Sequence, residues 1–264
     1  MTEITLYQVD AFADRPFAGN PAAVCPLEAW LPDATLQAIA AENNLAETAF
    51  FVKNGGGYHL RWFTPAIEVK LCGHATLASA YVIAQHLDPA MRKVVFDSLS
   101  GPLTVTRAGE VYTLDFPTAR PLPFDDGGAV ADALGIAPRE VLKPAGEGGK
   151  LLALLASEAE VRGAQPDMEK VKGLPGDGLI ITAPGEAVDF VSRYFAPHAG
   201  IPEDPVTGSA HVVLTPFWAE RLGKTTLQAR QISARGGALT VEDRGERTLI
   251  SGTVAPYLEG RIRV

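Results

Sequence analysis

Arg61-Trp62-Phe63-Thr64-Pro65, followed after seven residues by Gly73-His74-Ala75, decides how this chain is read, because the pattern returns. Arg193-Tyr194-Phe195-Ala196-Pro197 is followed after ten residues by Gly208-Ser209-Ala210, about half the chain further on. Each copy is Arg-aromatic-Phe-x-Pro, a loop, Gly-polar-Ala, and then a largely apolar run suited to a helix. A repeat of this length predicts two similar domains, with the two Gly-polar-Ala turns as candidates for one shared site.

The flanking sequence fills in both halves. Residues 4–11 alternate as a strand, 22–25 form a short apolar strand, and Asp33 opens a helix to residue 43 over Leu36, Ile39 and Ala40. Residues 47–52 and 58–63 read as a hairpin around Asn54-Gly55-Gly56-Gly57, since glycine tolerates the positive φ of a tight turn. The first motif helix is expected over 74–86, with strands at 94–97, 103–107 and 111–116. Residues 117–126, carrying Pro121 and Pro123, predict a linker. Beyond it come a helix near 130–134, strands near 141–142 and 151–155, and a helix at 168–172. A second hairpin is expected at 178–183 and 187–195, the second motif helix at 209–222, and strands at 228–233, 239–242, 248–254 and 258–264. The fold class is α+β: two similar domains, 1–117 and 118–254, each a mixed sheet wrapped around a central helix. The terminal strand 255–264 is a candidate to complete the first domain.

With 264 residues and 47% hydrophobic content the chain can bury a large core. A net charge of −8 with basic residues scattered among acids argues against nucleic acid as a partner. No apolar run approaches the roughly 20 residues of a membrane-spanning helix. The first ten residues read as a strand rather than a signal peptide, and two cysteines, Cys25 and Cys72, suit a reducing compartment. The expectation is a cytoplasmic protein.

The residues that could carry chemistry are few. Glu47 follows an apolar helix and opens the strand Ala49-Phe50-Phe51-Val52. In a partly dry setting its carboxyl would be held back from ionising, which suits a group that takes and returns a proton. An exposed strand-edge glutamate is the other reading. Gly73-His74 and Gly208-Ser209 place free backbone N–H groups at helix starts, where an anion such as a carboxylate is favoured, and His74 could also exchange a proton. Two ordinary helix starts are the alternative. Asp204, in Glu203-Asp204-Pro205-Val206-Thr207, could accept a hydrogen bond from a substrate hydroxyl or amine, or form only a local turn. Cys72 beside a helix start could be an activated thiol, but the second repeat has no matching sulfur, so a small buried residue is the simpler reading. Gly146-Glu147-Gly148-Gly149-Lys150 precedes Leu151 instead of a hydroxyl residue, so it reads as a flexible turn and not a phosphate loop. His59, His86, His198 and His211 lack zinc spacing, no nucleophile elbow is present, and nothing in the chain calls for a metal or nucleotide.

These residues meet a known pattern. Val9-Asp10-Ala11-Phe12 with Phe17-Ala18-Gly19-Asn20-Pro21, the run from Ala41-Glu42-Asn43-Asn44 through Leu45-Ala46-Glu47-Thr48-Ala49-Phe50, Leu71-Cys72-Gly73-His74-Ala75-Thr76 and Glu203 through His211 resemble the PhzF-like phenazine-biosynthesis proteins, which share the diaminopimelate epimerase fold. The resemblance implies a pseudo-two-fold pair of domains with the site in the cleft between them. It implies an isomerase without cofactor or metal, whose glutamate at the position of Glu47 moves a proton on a small carboxylated substrate. The type reaction is isomerisation of 2,3-dihydro-3-hydroxyanthranilate. His74 and Asp204 match residues that assist the transfer, while Asn20, Gly73, Gly208 and Ser209 match substrate-binding positions. Family members are often homodimers. Cys72 stands where the epimerase branch has its first catalytic thiol, and the second is absent, which favours the Glu47 mechanism. The alternatives are a racemase or epimerase using Cys72 and a non-catalytic small-molecule binding protein on the same scaffold.

Overall fold

The computed structural model describes residues 2–125, 127–145 and 149–264. Asp126, at the end of the expected linker, and residues 146–148, in the expected flexible turn, lie outside the described residues, as does Met1. The chain divides into two compact units, one running to Asp115 and completed by Ser251–Val264, the other Phe116–Ile250.

In the first unit the strand order is Val254–Arg263, Glu3–Ala11, Asn20–Leu27, Glu47–Asn54, Gly57–Phe63, Lys93–Asp97 and Leu103–Ala108. Successive pairings run antiparallel, antiparallel, parallel, antiparallel, parallel, antiparallel. The second unit orders Pro121–Pro123, Glu140–Pro144, Leu151–Leu154, Leu179–Pro184, Phe190–Ala196, Thr226–Gln231 and Gly237–Asp243, with the same six directions in the same order. Each sheet also carries a side strand at the same place: Glu68–Val69 on Gly57–Phe63, and Ile201–Asp204 on Phe190–Ala196. The repeated motif is therefore the visible part of a repeated topology.

The helices are α1 (Asp33–Asn43), α2 (Gly73–Val82), α3 (Gly127–Leu134), α4 (Glu158–Gly163), α5 (Met168–Gly173) and α6 (Gly208–Leu222). Helix α1 stops where Asn44 turns left-handed and its N–H bonds the Ala40 carbonyl. Helices α2 and α6 are the two motif helices, and both are buried around most of their circumference. A helix that is apolar all round must be enclosed. Helix α2 packs on strands Glu3–Ala11, Asn20–Leu27 and Glu47–Asn54, and α6 on Thr226–Gln231 and Gly237–Asp243. Their buried hydroxyls stay satisfied by bonding back along the helix: Thr76 to the Cys72 carbonyl, Ser79 to Ala75 and Thr215 to His211, at 2.5, 2.7 and 2.6 Å. In α6 the Trp218 indole stacks on Phe190 and donates to the Thr182 hydroxyl at 3.0 Å.

Several elements differ from expectation. Helix α2 begins one residue earlier than expected and leaves α geometry after Val82, in a π turn over Ile83–Leu87. The expected linker is in part a strand: Pro121–Pro123 pairs with Glu140–Pro144, and prolines are tolerated there because an edge position needs few donors. Helix α4 went unread although Ser157 caps it by accepting from the Glu160 N–H. No helix among the described residues is long and apolar enough to cross a membrane.

The two hairpins align through the motif phenylalanines. Phe63 faces Thr48 and Phe195 faces Leu179, so the residue before Leu179, Gly178, is the counterpart of Glu47. Gly178 has φ +139, and a Cβ built there would lie 2.4 Å from the Phe195 carbonyl oxygen and 2.8 Å from the Tyr194 hydroxyl. No side chain fits where the first unit carries its carboxylate. Gly178→Ala should therefore destabilise the protein by about 1–3 kcal/mol through backbone strain and the close contacts. Calorimetry would read this as a lowered melting temperature, and an unchanged transition would contradict the assignment.

Candidate functional site

Glu47 is the first residue of its strand, paired in parallel register with Ala22, and its side chain is only 14% exposed. His74 is the second residue of α2 and is buried. Glu47 Oε2 lies 3.2 Å from His74 Nε2, off the line of a strong N–H···O bond. The other ring nitrogen, Nδ1, is 3.1 Å from the Asn20 amide nitrogen and 3.5 Å from Cys72 Sγ. With the Asn20 amide N–H toward the ring, Nδ1 accepts and the proton stands on Nε2 facing the carboxylate; with the amide turned to present Oδ1, Nδ1 donates instead.

Burial pushes the His74 pKa down to about 3, opposed by a backbone bond involving Pro21. The ring is therefore neutral at physiological pH, and what it can offer Glu47 is a hydrogen bond, not a charge. Asn20 is completely buried at the start of its strand, where Pro21 pairs with Asp10. Asp10 in turn accepts the Phe17 N–H at 2.9 Å, which ties down the bend ahead of Asn20, where Phe17 takes φ 71. Asn20, Glu47, Cys72, Gly73 and His74 thus come together within the first unit.

Cys72 sits just before α2 in extended backbone and is buried. Its counterpart ahead of α6 is Thr207. Cys25 is remote in role: burial pushes its thiol pKa up to about 12. Glu47, Cys72 and His74 offer ligand atoms within 4.8 Å of one another, a metal-capable trio in which Cys72 and His74 are near neighbours in sequence and Glu47 comes from a separate strand. The histidine in that trio has Asn20 against one nitrogen and Glu47 against the other.

In the second unit Asp204 ends the side strand opposite Tyr194. Its carboxylate accepts the Thr207 hydroxyl at 2.5 Å and its carbonyl accepts the Gln231 amide at 2.7 Å. The Gln231 side-chain oxygen takes the Thr207 N–H at 2.8 Å. Asp204 is thus held just ahead of Gly208 and Ser209, the first residues of α6. The Gly208 backbone is buried, while Ser209 is partly exposed. Asp204 is tethered by a local turn just ahead of the helix start.

Sequence reasoning missed what the repeated arginines do. Arg61 grips Glu68 through two bonds of 2.7 and 2.8 Å and lies 5.1 Å from the Phe63 ring centroid. Arg193 grips Glu203 through bonds of 2.7 and 2.9 Å and lies 4.9 Å from the Phe195 ring centroid. Glu68 precedes Gly73, and Glu203 precedes Gly208, by the same number of residues. Alignment backward from the helix starts would have exposed this pairing, whereas alignment forward from the arginines hides it behind loops of unequal length.

Comparison with known proteins follows the same lines. Residues 9–260 match the family model PhzC-PhzF, described as phenazine biosynthesis-like protein. A Pseudomonas aeruginosa protein named an uncharacterized isomerase is 52% identical over 99% of this chain and 100% of its own length. The crystal structure of a PhzF-family phenazine biosynthesis protein from Enterococcus faecalis superposes with a TM-score of 0.96 at 47% identity, covering 100% of both chains. A hydroxyproline epimerase from Agrobacterium vitis shares the fold alone, with a TM-score of 0.60 at 10% identity over 98% of this chain and 92% of its own.

Buried neutral histidines make stability depend on pH. His74 and His211 have pKa values lowered by burial to about 3 and about 4, against about 6.5 in an unfolded chain. Both contributions are fully present above pH 6.5 and are lost as pH falls toward the folded values, because only the unfolded chain takes up the protons in that window. Urea midpoints measured from pH 7.5 to 4.5 should fall on the acid side of 6.5. A midpoint that is flat, or that rises on acidification, would contradict the buried neutral assignment.

Proposed function

We propose that this chain, which belongs to the PhzC-PhzF family of phenazine biosynthesis-like proteins and is an isomerase, works by cofactor-independent proton transfer between carbons of a small carboxylated substrate. Glu47 is the acid–base group. The observation that carries this reading is the largely buried Glu47 carboxylate 3.2 Å from a histidine kept neutral by burial.

The chemistry follows from that pair. A carboxylate sheltered from water takes a proton from a carbon that is acidified by a neighbouring unsaturated or carbonyl group. His74, neutral and donating through Nε2, steadies the carboxylate without the full charge partner that would make it a weak base. Glu47, now protonated, returns the proton to a second carbon of the same substrate, so the double bond moves and the atoms balance. Asp204 accepts a hydrogen bond from a substrate amine or hydroxyl, and the N–H groups at Gly73 and Gly208 together with the Ser209 hydroxyl hold its anionic oxygens. Asn20 fixes the His74 tautomer and orients the ring.

Glu47→Gln keeps the shape and removes the base. Turnover should fall by about 100-fold or more while substrate binding persists, and full activity in this variant would overturn the assignment.

A thiol mechanism is the second reading, favoured by the 3.5 Å approach of Cys72 Sγ to His74 Nδ1. A two-thiol racemase needs a second sulfur, and at the matching place stands Thr207. Cys72→Ala should accordingly leave turnover within a few-fold of the parent, read in the same assay. Its loss together with loss of solvent deuterium exchange at Cα would replace Glu47 by Cys72 in the account.

A further inference from the structure

The strand that carries the first motif also carries a buried donor with no acceptor. Trp62 is 1% exposed, and its indole N–H meets no acceptor among the described residues. A buried donor left unpaired is destabilising, so folded chains partner nearly all of them. The buried indole of Trp218 follows that rule, donating to the Thr182 hydroxyl at 3.0 Å.

Register places Trp62 beside the carboxylate. Trp62 faces Ala49 across the hairpin, and Glu47 lies two residues before Ala49 on the same strand. Alternation puts Glu47, Ala49 and Trp62 on one face of the sheet. Glu47 and Trp62 are diagonal neighbours there, within reach of a side chain as long as an indole. The opposite face bears Phe50 and Phe63, which pack with Leu36 and Ile39 of α1. The Glu47 face is turned to α2, since His74 of that helix stands 3.2 Å from the carboxylate.

The second unit shows how far an aromatic at this position reaches. Tyr194, the counterpart of Trp62, brings its hydroxyl within 2.8 Å of the point where Gly178 would carry a Cβ. Gly178 is the counterpart of Glu47, so the tip of the ring meets the site position on the neighbouring strand. There the polar tip is satisfied inside the unit, because the hydroxyl donates to the Asp177 carbonyl at 2.7 Å. In the first unit the same position ends in an N–H that stays unpaired.

We propose that the Trp62 indole N–H donates to an oxygen of the substrate next to the carbon that Glu47 deprotonates, which makes Trp62 a further catalytic residue. This rests on the proton-transfer reading and adds a contact to it. The substrate carboxylate keeps its place at the helix starts. Trp62 takes a different oxygen, the carbonyl oxygen onto which negative charge spreads as the proton leaves. A neutral donor suits that task, because it steadies the charge without weakening Glu47 as a base, which a cation would do. An acid lacking that oxygen leaves the donor unpaired and is bound less well.

The test compares two acids of equal chain length, 2-oxobutanoate, which offers a carbonyl acceptor, and butanoate, which does not. Binding is measured by calorimetry on the parent protein, Trp62→Phe and Trp30→Phe, with folding of each variant checked by circular dichroism. The parent should bind the oxo acid about fivefold or more tightly than butanoate. Trp62→Phe, which keeps a ring and removes the donor, should abolish that preference, and Trp30→Phe should keep it. A second readout needs no variant: the Trp62 indole signal of the nitrogen-15-labelled parent, assigned through its backbone, should move with 2-oxobutanoate and hold still with butanoate. Equal affinity for the two acids, binding of neither, a preference that survives Trp62→Phe, or an indole signal that the oxo acid leaves in place overturns the role of Trp62. Failure of the Glu47 reading shows elsewhere, as undiminished turnover in Glu47→Gln, whichever way the two acids bind.

Discussion

Each unit depends on one interaction made twice, an arginine forked onto a glutamate across a strand and its side strand. The pairs Arg61–Glu68 and Arg193–Glu203 tie the motif strand to the loop that delivers the central helix. The side chains are 11–26% exposed, so they are shielded enough from water for the two-point contact to matter. In each unit the arginine also lies against the phenylalanine two residues on, which fixes the plane of the fork. With that loop fixed, the helix enters the sheet at one height, and its first residues stand at a reproducible place. Gly73 and His74 stand there in the first unit, Gly208 and Ser209 in the second.

On this common frame the two units have diverged in a physically ordered way. The first spends its helix start on His74 and the neighbouring strand on Glu47, and encloses both. The second has Ser209 and Gly178 at those positions, with the Tyr194 hydroxyl filling the space a side chain would need. What the second unit adds is polar: Asp204 held by Thr207 and Gln231, and Lys150 over Tyr194. Duplication supplied the scaffold, and divergence left a carboxylate beside a histidine on one copy and an aspartate held by Thr207 and Gln231 on the other.

Much of this was legible in the amino-acid string. The strands and motif helices follow from period and turn chemistry, because hairpins such as that ending at Phe63 carry strong local signals. Glu47, His74 and Asp204 stand out through their motifs. The strand at Pro121–Pro123 was hidden because prolines mask an edge strand, and α4 because six residues hold too little periodicity. Lys150 was hidden for a different reason. Its neighbours read as a flexible turn, and its place beside Gly178 and against the Tyr194 ring is one that only the folded sheet brings together. Local chemistry can be read along a chain; a position defined by two strands cannot.

The central claim is that the Glu47 carboxylate is served by an uncharged His74 whose proton sits on Nε2. Nitrogen-15 spectroscopy of the His74 ring between pH 5 and 8 tests it without any substrate. The account predicts a neutral imidazole throughout, protonated on Nε2, with no titration in that range. A ring that titrates near pH 6.5, or that carries its proton on Nδ1, would contradict it.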